Sequence, residues 1–410
     1  MSSPDAPTLL RGRVVTPTAV IDDGVVVLDG PLLAWVGPVA EAGEAGWPEL
    51  PPASATTLLP GLVDLHTHGG GGASYPDSTT PQEALVAVHE HRAHGTTTLV
   101  ASLVTASPET LRQRVGVLTE LAEEGEIAGI HLEGPFVSTV RCGAQDPALI
   151  QMPDADLVRE LAALARGHLV TMTIAPELTG ILGDGGVVDA LVDVGALPSF
   201  GHSDASWRVT DAALTEAASR LAAASHPRSG RATVTHLFNA MRPLQHRSPG
   251  PVPAYLEAAA AGRAVIELIG DGTHLDPGLV RSVFTLVGAE NIALVTDAMA
   301  AAGMPDGTYR LGSLEVTVLE GVARLTHGGA IAGGTAHLLD IVRTTVAGGV
   351  PLVDVVRAAA TTPAVVLGDA SVGALEAGRR ADVLVTDEGL RPLQVWRAGR
   401  PVPQATRVTG

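Results

Sequence analysis

Between residues 62 and 296 the chain alternates two patterns. Short apolar runs, many of them β-branched, recur at 62–65, 97–101, 127–132, 169–174, 197–200, 233–235, 264–269 and 292–296. Ala- and Leu-rich stretches of helical length separate most of them, for example 81–94, 108–124, 154–166, 207–224 and 277–287. Runs that are largely apolar suit strands buried on both faces, and eight such strands alternating with helices predict a TIM-type (β/α)₈ barrel, an α/β fold. A doubly wound open sheet is the alternative, but no Gly-x-Gly-x-x-Gly turn follows the first strand.

The ends of the chain read differently. Residues 9–15, 24–28 and 32–37, and again 381–386 and 393–397, are short β-like runs punctuated by Gly and Pro. Two β-rich ends around an α/β middle predict a small β-sandwich domain built from both termini, residues 1–58 and 368–410. Residues 59–367 are expected to form the barrel, with a β insertion near 305–330 and closing helices over 335–367.

Composition narrows the function classes. At 410 residues the chain exceeds what one compact core usually holds. A net charge of −18 argues against sequence-independent nucleic-acid binding, which needs a basic footprint, and requires a local positive site for any anionic ligand. The N-terminal Met1-Ser-Ser-Pro-Asp-Ala-Pro7 lacks a targeting pattern, and no apolar run is long enough to span a bilayer, so a cytoplasmic protein without membrane partners is expected. Cys142 is the one cysteine, which excludes an intramolecular disulfide and a multi-thiolate metal site. All 26 basic residues are arginine, so every lysine-based chemistry is excluded.

Candidate chemistry gathers at the ends of the predicted strands. The first ends in His66 and His68, and residues two apart on a strand share a face, so this pair can grip one metal ion. The third strand ends in Glu133, the fifth in His202, the sixth in His236 and the eighth in Asp297. The C-terminal ends of barrel strands are where active sites are built. Imidazoles with carboxylates suit zinc first, with iron, manganese or cobalt as alternatives, and a carboxylate can bridge two ions. Since no lysine is available for carboxylation, the bridge must be Glu133.

These residues carry a resemblance. Pro60-Gly-Leu-Val-Asp-Leu-His-Thr-His68, His131-Leu-Glu-Gly-Pro-Phe136, Gly201-His-Ser-Asp-Ala205, Thr235-His-Leu-Phe-Asn-Ala-Met241, Asp271-Gly-Thr-His274 and Val295-Thr-Asp-Ala298 resemble the amidohydrolase superfamily. Within it they are similar to the N-acetylglucosamine-6-phosphate deacetylase family, over about residues 10–402. Gly373-Ala-Leu-Glu-Ala-Gly-Arg-Arg-Ala-Asp-Val383 is similar to the superfamily's return into its small β domain. The resemblance implies a metal-dependent amide hydrolase of amino-sugar catabolism and cell-wall recycling, with Glu133, His202 and His236 around one ion. His66 and His68 with Glu133 would hold a second, a pair that some members lack. It further implies Asp297 as proton shuttle, contacts from the Asn239–Ala240 backbone and His274 to the sugar phosphate, and Arg247 reaching the phosphate of a neighbouring subunit, hence a homodimer. One departure stands out: Gln145 occupies the place where many members carry a histidine that touches the acetyl carbonyl, and its amide can donate to the same oxygen. A deacetylase of another phosphorylated sugar, such as N-acetylgalactosamine 6-phosphate, or a non-catalytic binding relative are the rival readings.

Overall fold

A parallel strand covered by helices on one side and a packed interior on the other has no wet face, and the eight apolar runs behave accordingly. In the computed structural model, which describes residues 6–225 and 228–403, they form β1 (Leu62–Thr67), β2 (Thr96–Leu103), β3 (Gly129–Glu133), β4 (Leu169–Ile174), β5 (Leu197–Phe200), β6 (Ala232–Val234), β7 (Ala264–Leu268) and β8 (Ile292–Leu294). Every residue of these strands is buried. They pair in sequence order and in parallel, β1 to β2 through to β7 to β8. Residues 1–5, read above for targeting signals, lie outside the described part.

The ring closes just beyond the strand ends. Thr67 bridges Ala298 in parallel, and the Asp297 N–H donates to the His66 carbonyl at 2.9 Å while the His68 N–H donates to Ala298 at 2.7 Å. Below this, the buried Asp64 carboxylate accepts the Thr296 hydroxyl at 2.6 Å. Burial raises the Asp64 carboxyl to about 7 even against the hydrogen bonds from Thr296 and His66. The closure therefore puts the ends of β1 and β8, and the residues that follow them, within hydrogen-bond reach.

Eight helices alternate with the strands: α1 (Pro81–Ala93), α2 (Pro108–Glu123), α3 (Ala155–Leu164), α4 (Val187–Asp193), α5 (Trp207–Ala223), α6 (Val252–Ala260), α7 (Pro277–Val287) and α8 (Leu338–Ala347). The starts are written in the sequence. Thr80, Ser107, Asp154, Ser206 and Asp276 each accept a backbone N–H of the first turn, and α1, α2 and α7 open on proline, whose missing N–H is needed by no partner there. Their buried faces join those of the strands in one large apolar cluster. Beyond α8, Leu352–Val356, a π turn at Arg357–Thr361 and Thr362–Leu367 complete the ring. Among the described residues no helix is long and apolar enough to cross a membrane.

Strands from both chain ends form one seven-stranded sheet in the order Arg400–Pro401, Pro392–Arg397, Val383–Thr386, Thr57–Pro60, Thr8–Val15, Val20–Asp29 and Leu32–Pro38. This sheet curls over its own core of Val14, Val26, Leu28, Leu33, Leu58 and Val383. The last strand returns to the segment preceding Val383, with the Leu33 N–H on the Arg379 carbonyl at 2.8 Å. Between β8 and α8 three antiparallel strands, Gly307–Leu311, Leu314–Leu319 and Val322–Leu325, make the β insertion. Alternation turns Val316 and Val318 inward against Met299 and Val104, and that packing seats Leu311 at the barrel mouth.

Candidate active site

Strand geometry delivers the side chains. His66 and His68 flank Thr67 at the end of β1, and both rings turn into the barrel mouth, where their Nε2 atoms stand 3.1 Å apart. Glu133 is the last residue of β3. His202, His236 and Asp297 follow β5, β6 and β8, and each adopts a left-handed backbone, with φ of 47°, 29° and 46°. Non-glycine residues there cost roughly 1–3 kcal/mol apiece and persist where their surroundings fix them. The Asp297 N–H is held by the His66 carbonyl, and the His236 N–H donates to Glu267 Oε2 at 3.2 Å. Gly201, which precedes His202, has no room for a side chain: a Cβ would stand 2.7 Å from Thr235 Cβ.

Five donor side chains converge on Glu133. Its Oε1 lies 2.9 Å from both His202 Nε2 and His236 Nε2, and its Oε2 lies 3.1 Å from His68 Nε2. Asp297 Oδ1 is 3.1 Å from His68 Nε2 and 3.4 Å from His66 Nε2. The donors thus fall into two groups, Glu133 with His202 and His236, and Glu133 with His66, His68 and Asp297. Ligand atoms about 2.1 Å from one ion stand roughly 2.9–3.4 Å apart, so the spacing fits a cation among Glu133, His202 and His236, and comes close in the second group, where His66 stands 3.8 Å from Glu133. Outer partners aim the rings as metal ligands require: His66 Nδ1 meets Glu267 at 3.0 Å, His68 Nδ1 the Ser102 carbonyl at 3.1 Å, and His202 Nδ1 the Arg141 carbonyl at 3.0 Å. His236 Nδ1 is buried without a partner.

Comparison with known proteins gives the family. The amidohydrolase family profile matches residues 57–404. The chain belongs to the amidohydrolase family. It is 31% identical to N-acetylgalactosamine-6-phosphate deacetylase of Escherichia coli O157:H7, covering 95% of this chain and 97% of the relative. It is 34% identical to N-acetylglucosamine-6-phosphate deacetylase of Lysinibacillus sphaericus, covering 85% and 86%. Among solved structures it is similar to N-acetyl-D-glucosamine-6-phosphate deacetylase from Mycobacterium smegmatis in complex with N-acetyl-D-glucosamine-6-phosphate, at 39% identity and a TM-score of 0.86, covering 97% of this chain and 99% of that one.

The charge balance of this amidohydrolase favours a cation. Burial alone would lower His66, but the carboxylates of Asp297, Glu267 and Glu133 overcome it and hold the imidazole up at about 10. His68 is likewise held at about 9 against burial by Asp297 and Glu133. Burial opposes ionisation of Glu133, yet hydrogen bonds from His202, His236 and His68 hold its carboxyl well below the usual range. Asp297 is lowered against burial by the charge on His66. Protons on the imidazoles do here what divalent charge does more completely.

The site floors a cavity of about 240 Å³ that Gln145, Asn239, Ala240 and His274 also line. Gln145 does not simply face the cavity. Its carbonyl accepts the Thr105 N–H at 2.7 Å, which turns its amide nitrogen onto Glu133 Oε2 at 2.6 Å. Asn239 is engaged as well, its N–H on the His236 carbonyl at 3.0 Å and its side-chain amide on the same carbonyl at 3.3 Å. His274 is tied to Asp271 at 2.8 Å, a bond that raises its imidazole against burial. Arg247 stands exposed, away from this cavity, in a surface hollow with Arg208 and Arg242.

Sequence reasoning missed three contributors. Glu267, 1% exposed on β7, backs His66; a lone carboxylate inside the apolar run 264–269 was the available signal. Leu311 and Ile331 reach the cavity from the insertion and the loop after it. A second His and Glu cluster, Glu90, His94 and His337, gathers between α1 and α8. Two imidazoles sharing one ion hold ring centres roughly 5 Å apart, as His66 with His68 (5.0 Å) and His202 with His236 (4.8 Å) do. The His94 and His337 rings instead stack at 3.7 Å, so this cluster is a tie between helices.

Proposed function

We propose that this amidohydrolase hydrolyses the acetamide of N-acetylglucosamine 6-phosphate, giving glucosamine 6-phosphate and acetate. The observation that carries the reading is the meeting of donors from four other strand ends on Glu133 at the floor of a cavity of sugar-phosphate scale. The names of the relatives and of the solved neighbour support it. Glu133, His202 and His236 would hold one divalent ion, zinc first, and His66, His68, Glu133 and Asp297 a second. When bound, such an ion polarises the acetyl oxygen and draws the pKa of an attacking water toward neutrality.

The chain's own residues supply the proton handling. Asp297 is held ionised and its carboxylate reaches the cavity, so it accepts the proton of the attacking water and returns it to the leaving nitrogen. Without that return the amine cannot depart. Gln145 keeps Glu133 turned so that each oxygen faces one donor group. His274 and the Asn239–Ala240 turn are the candidates for the phosphate, joined by Arg247 from a neighbouring subunit in a homodimer, within the cytoplasm.

Hydrolysis of N-acetylgalactosamine 6-phosphate is the second reading, favoured by the E. coli relative, which the chain covers almost end to end. Acetate release from both sugar phosphates, and from unphosphorylated N-acetylglucosamine, separates the readings. Faster turnover of the galactosamine compound reverses the order. No acetate from any of them returns the chain to a binding role.

A further inference from the structure

Three of the four imidazoles at this site have an outer partner, but the partners are unequal. His68 and His202 lean on neutral backbone carbonyls, of Ser102 and Arg141. Only His66 leans on a full charge: Glu267 Oε2, buried in the barrel wall, lies 3.0 Å from His66 Nδ1. A neutral imidazole has one N–H and one lone pair, and which nitrogen carries which decides whether the ring can bind an ion. A carboxylate accepts only, so it keeps the hydrogen of His66 on Nδ1. The Nε2 lone pair is then left facing His68, Glu133 and Asp297, at 3.1, 3.8 and 3.4 Å. The opposite tautomer would set two lone pairs against each other in a buried place.

We propose that Glu267 is the positioning residue that turns the His66 and His68 pair into a second ion site, and so sets whether this enzyme holds one ion or two. The proposal rests on the two-group reading of the donors above. Glu267 also receives the His236 N–H at 3.2 Å, but that contact needs only an acceptor, whereas His66 needs the charge. Glu267→Gln separates the two tasks. The glutamine oxygen can still accept from His236, while the charge is gone and the amide can present a donor to His66 Nδ1 and reverse its tautomer.

The experiment is zinc titration of chelated protein, read by calorimetry and by metal content after desalting, for wild type, Glu267→Gln, His66→Ala and the double variant. The expected result is two ions per subunit in wild type, with Glu267→Gln keeping one at unchanged affinity and binding the other about 10- to 100-fold more weakly. His66→Ala should lose that same ion, and adding Glu267→Gln to it should weaken nothing further, since the two act through one ring. Two ions at wild-type affinity in Glu267→Gln would overturn the role of Glu267 and leave the two-ion reading standing. A single ion in wild type would overturn both. Loss of both ions in Glu267→Gln would place its effect at His236 and overturn the selectivity claimed here.

Discussion

Filling the metal-free protein with ions at pH 7 should expel protons, those of His66 and His68 among them. The carboxylates of Asp297, Glu267 and Glu133 hold His66 at about 10, and Asp297 and Glu133 hold His68 at about 9, both against burial. Both values lie above neutral pH, so the pair is mainly protonated there. An imidazole must give up that proton to bind an ion, and the count depends only on the end states, so the order in which the two groups fill is immaterial. Glu133 and Asp297 are lowered, hence already ionised, and release none. Two released protons alone would lower overall affinity about 100-fold from pH 7 to pH 6, roughly 2.7 kcal/mol, so the fall should be at least of that order. Stability of the metal-free fold should run the other way. Raised imidazoles stabilise it fully below their ordinary value of about 6.5, and that contribution is lost as pH rises through 9 to 10. Calorimetric titration with zinc at pH 7, in two buffers of contrasting ionisation enthalpy, measures the proton count directly. No difference between the buffers would refute the charge balance drawn for this site.

Asp297→Asn should retain the ion on Glu133, His202 and His236 but lose roughly 10²- to 10⁴-fold in kcat, about 2.7–5.5 kcal/mol of transition-state stabilisation; turnover near wild type would remove the proton shuttle from Asp297. Gln145→Ala strands the buried Thr105 N–H and frees Glu133 Oε2. Urea unfolding should show a loss of about 1–3 kcal/mol, and metal affinity should fall with it, whereas an unchanged midpoint and affinity would contradict the bridge. Arg247→Ala should raise KM for the phosphorylated sugar about 10- to 100-fold with little change in kcat; an unchanged KM would separate Arg247 from the phosphate.

The barrel was legible because burial on both faces leaves continuous apolar runs. The run 169–174 is β4 and 197–200 is β5 to the residue, while the runs at 292–296 and 127–132 differ from β8 and β3 by one or two residues at their ends. The difference at 292–296 has a cause: Thr296 leaves the ladder with β7 to pair its hydroxyl with Asp64, the contact that closes the ring. The candidate metal donors were legible because each stands at the same end of a strand. What could not be read is what depends on distant pairing. Glu267 matters through His66, 201 positions away, and the direction of the Gln145 amide is set by the Thr105 N–H, 40 positions away. No local pattern encodes either.

The most direct test of the central claim, that this cluster holds ions which arm a water against an acetamide, is acetate release from N-acetylglucosamine 6-phosphate by one protein sample before chelation, after it, and after zinc is restored. The account predicts turnover that vanishes with the ion and returns with it. Undiminished acetate release from demonstrably metal-free protein would contradict it.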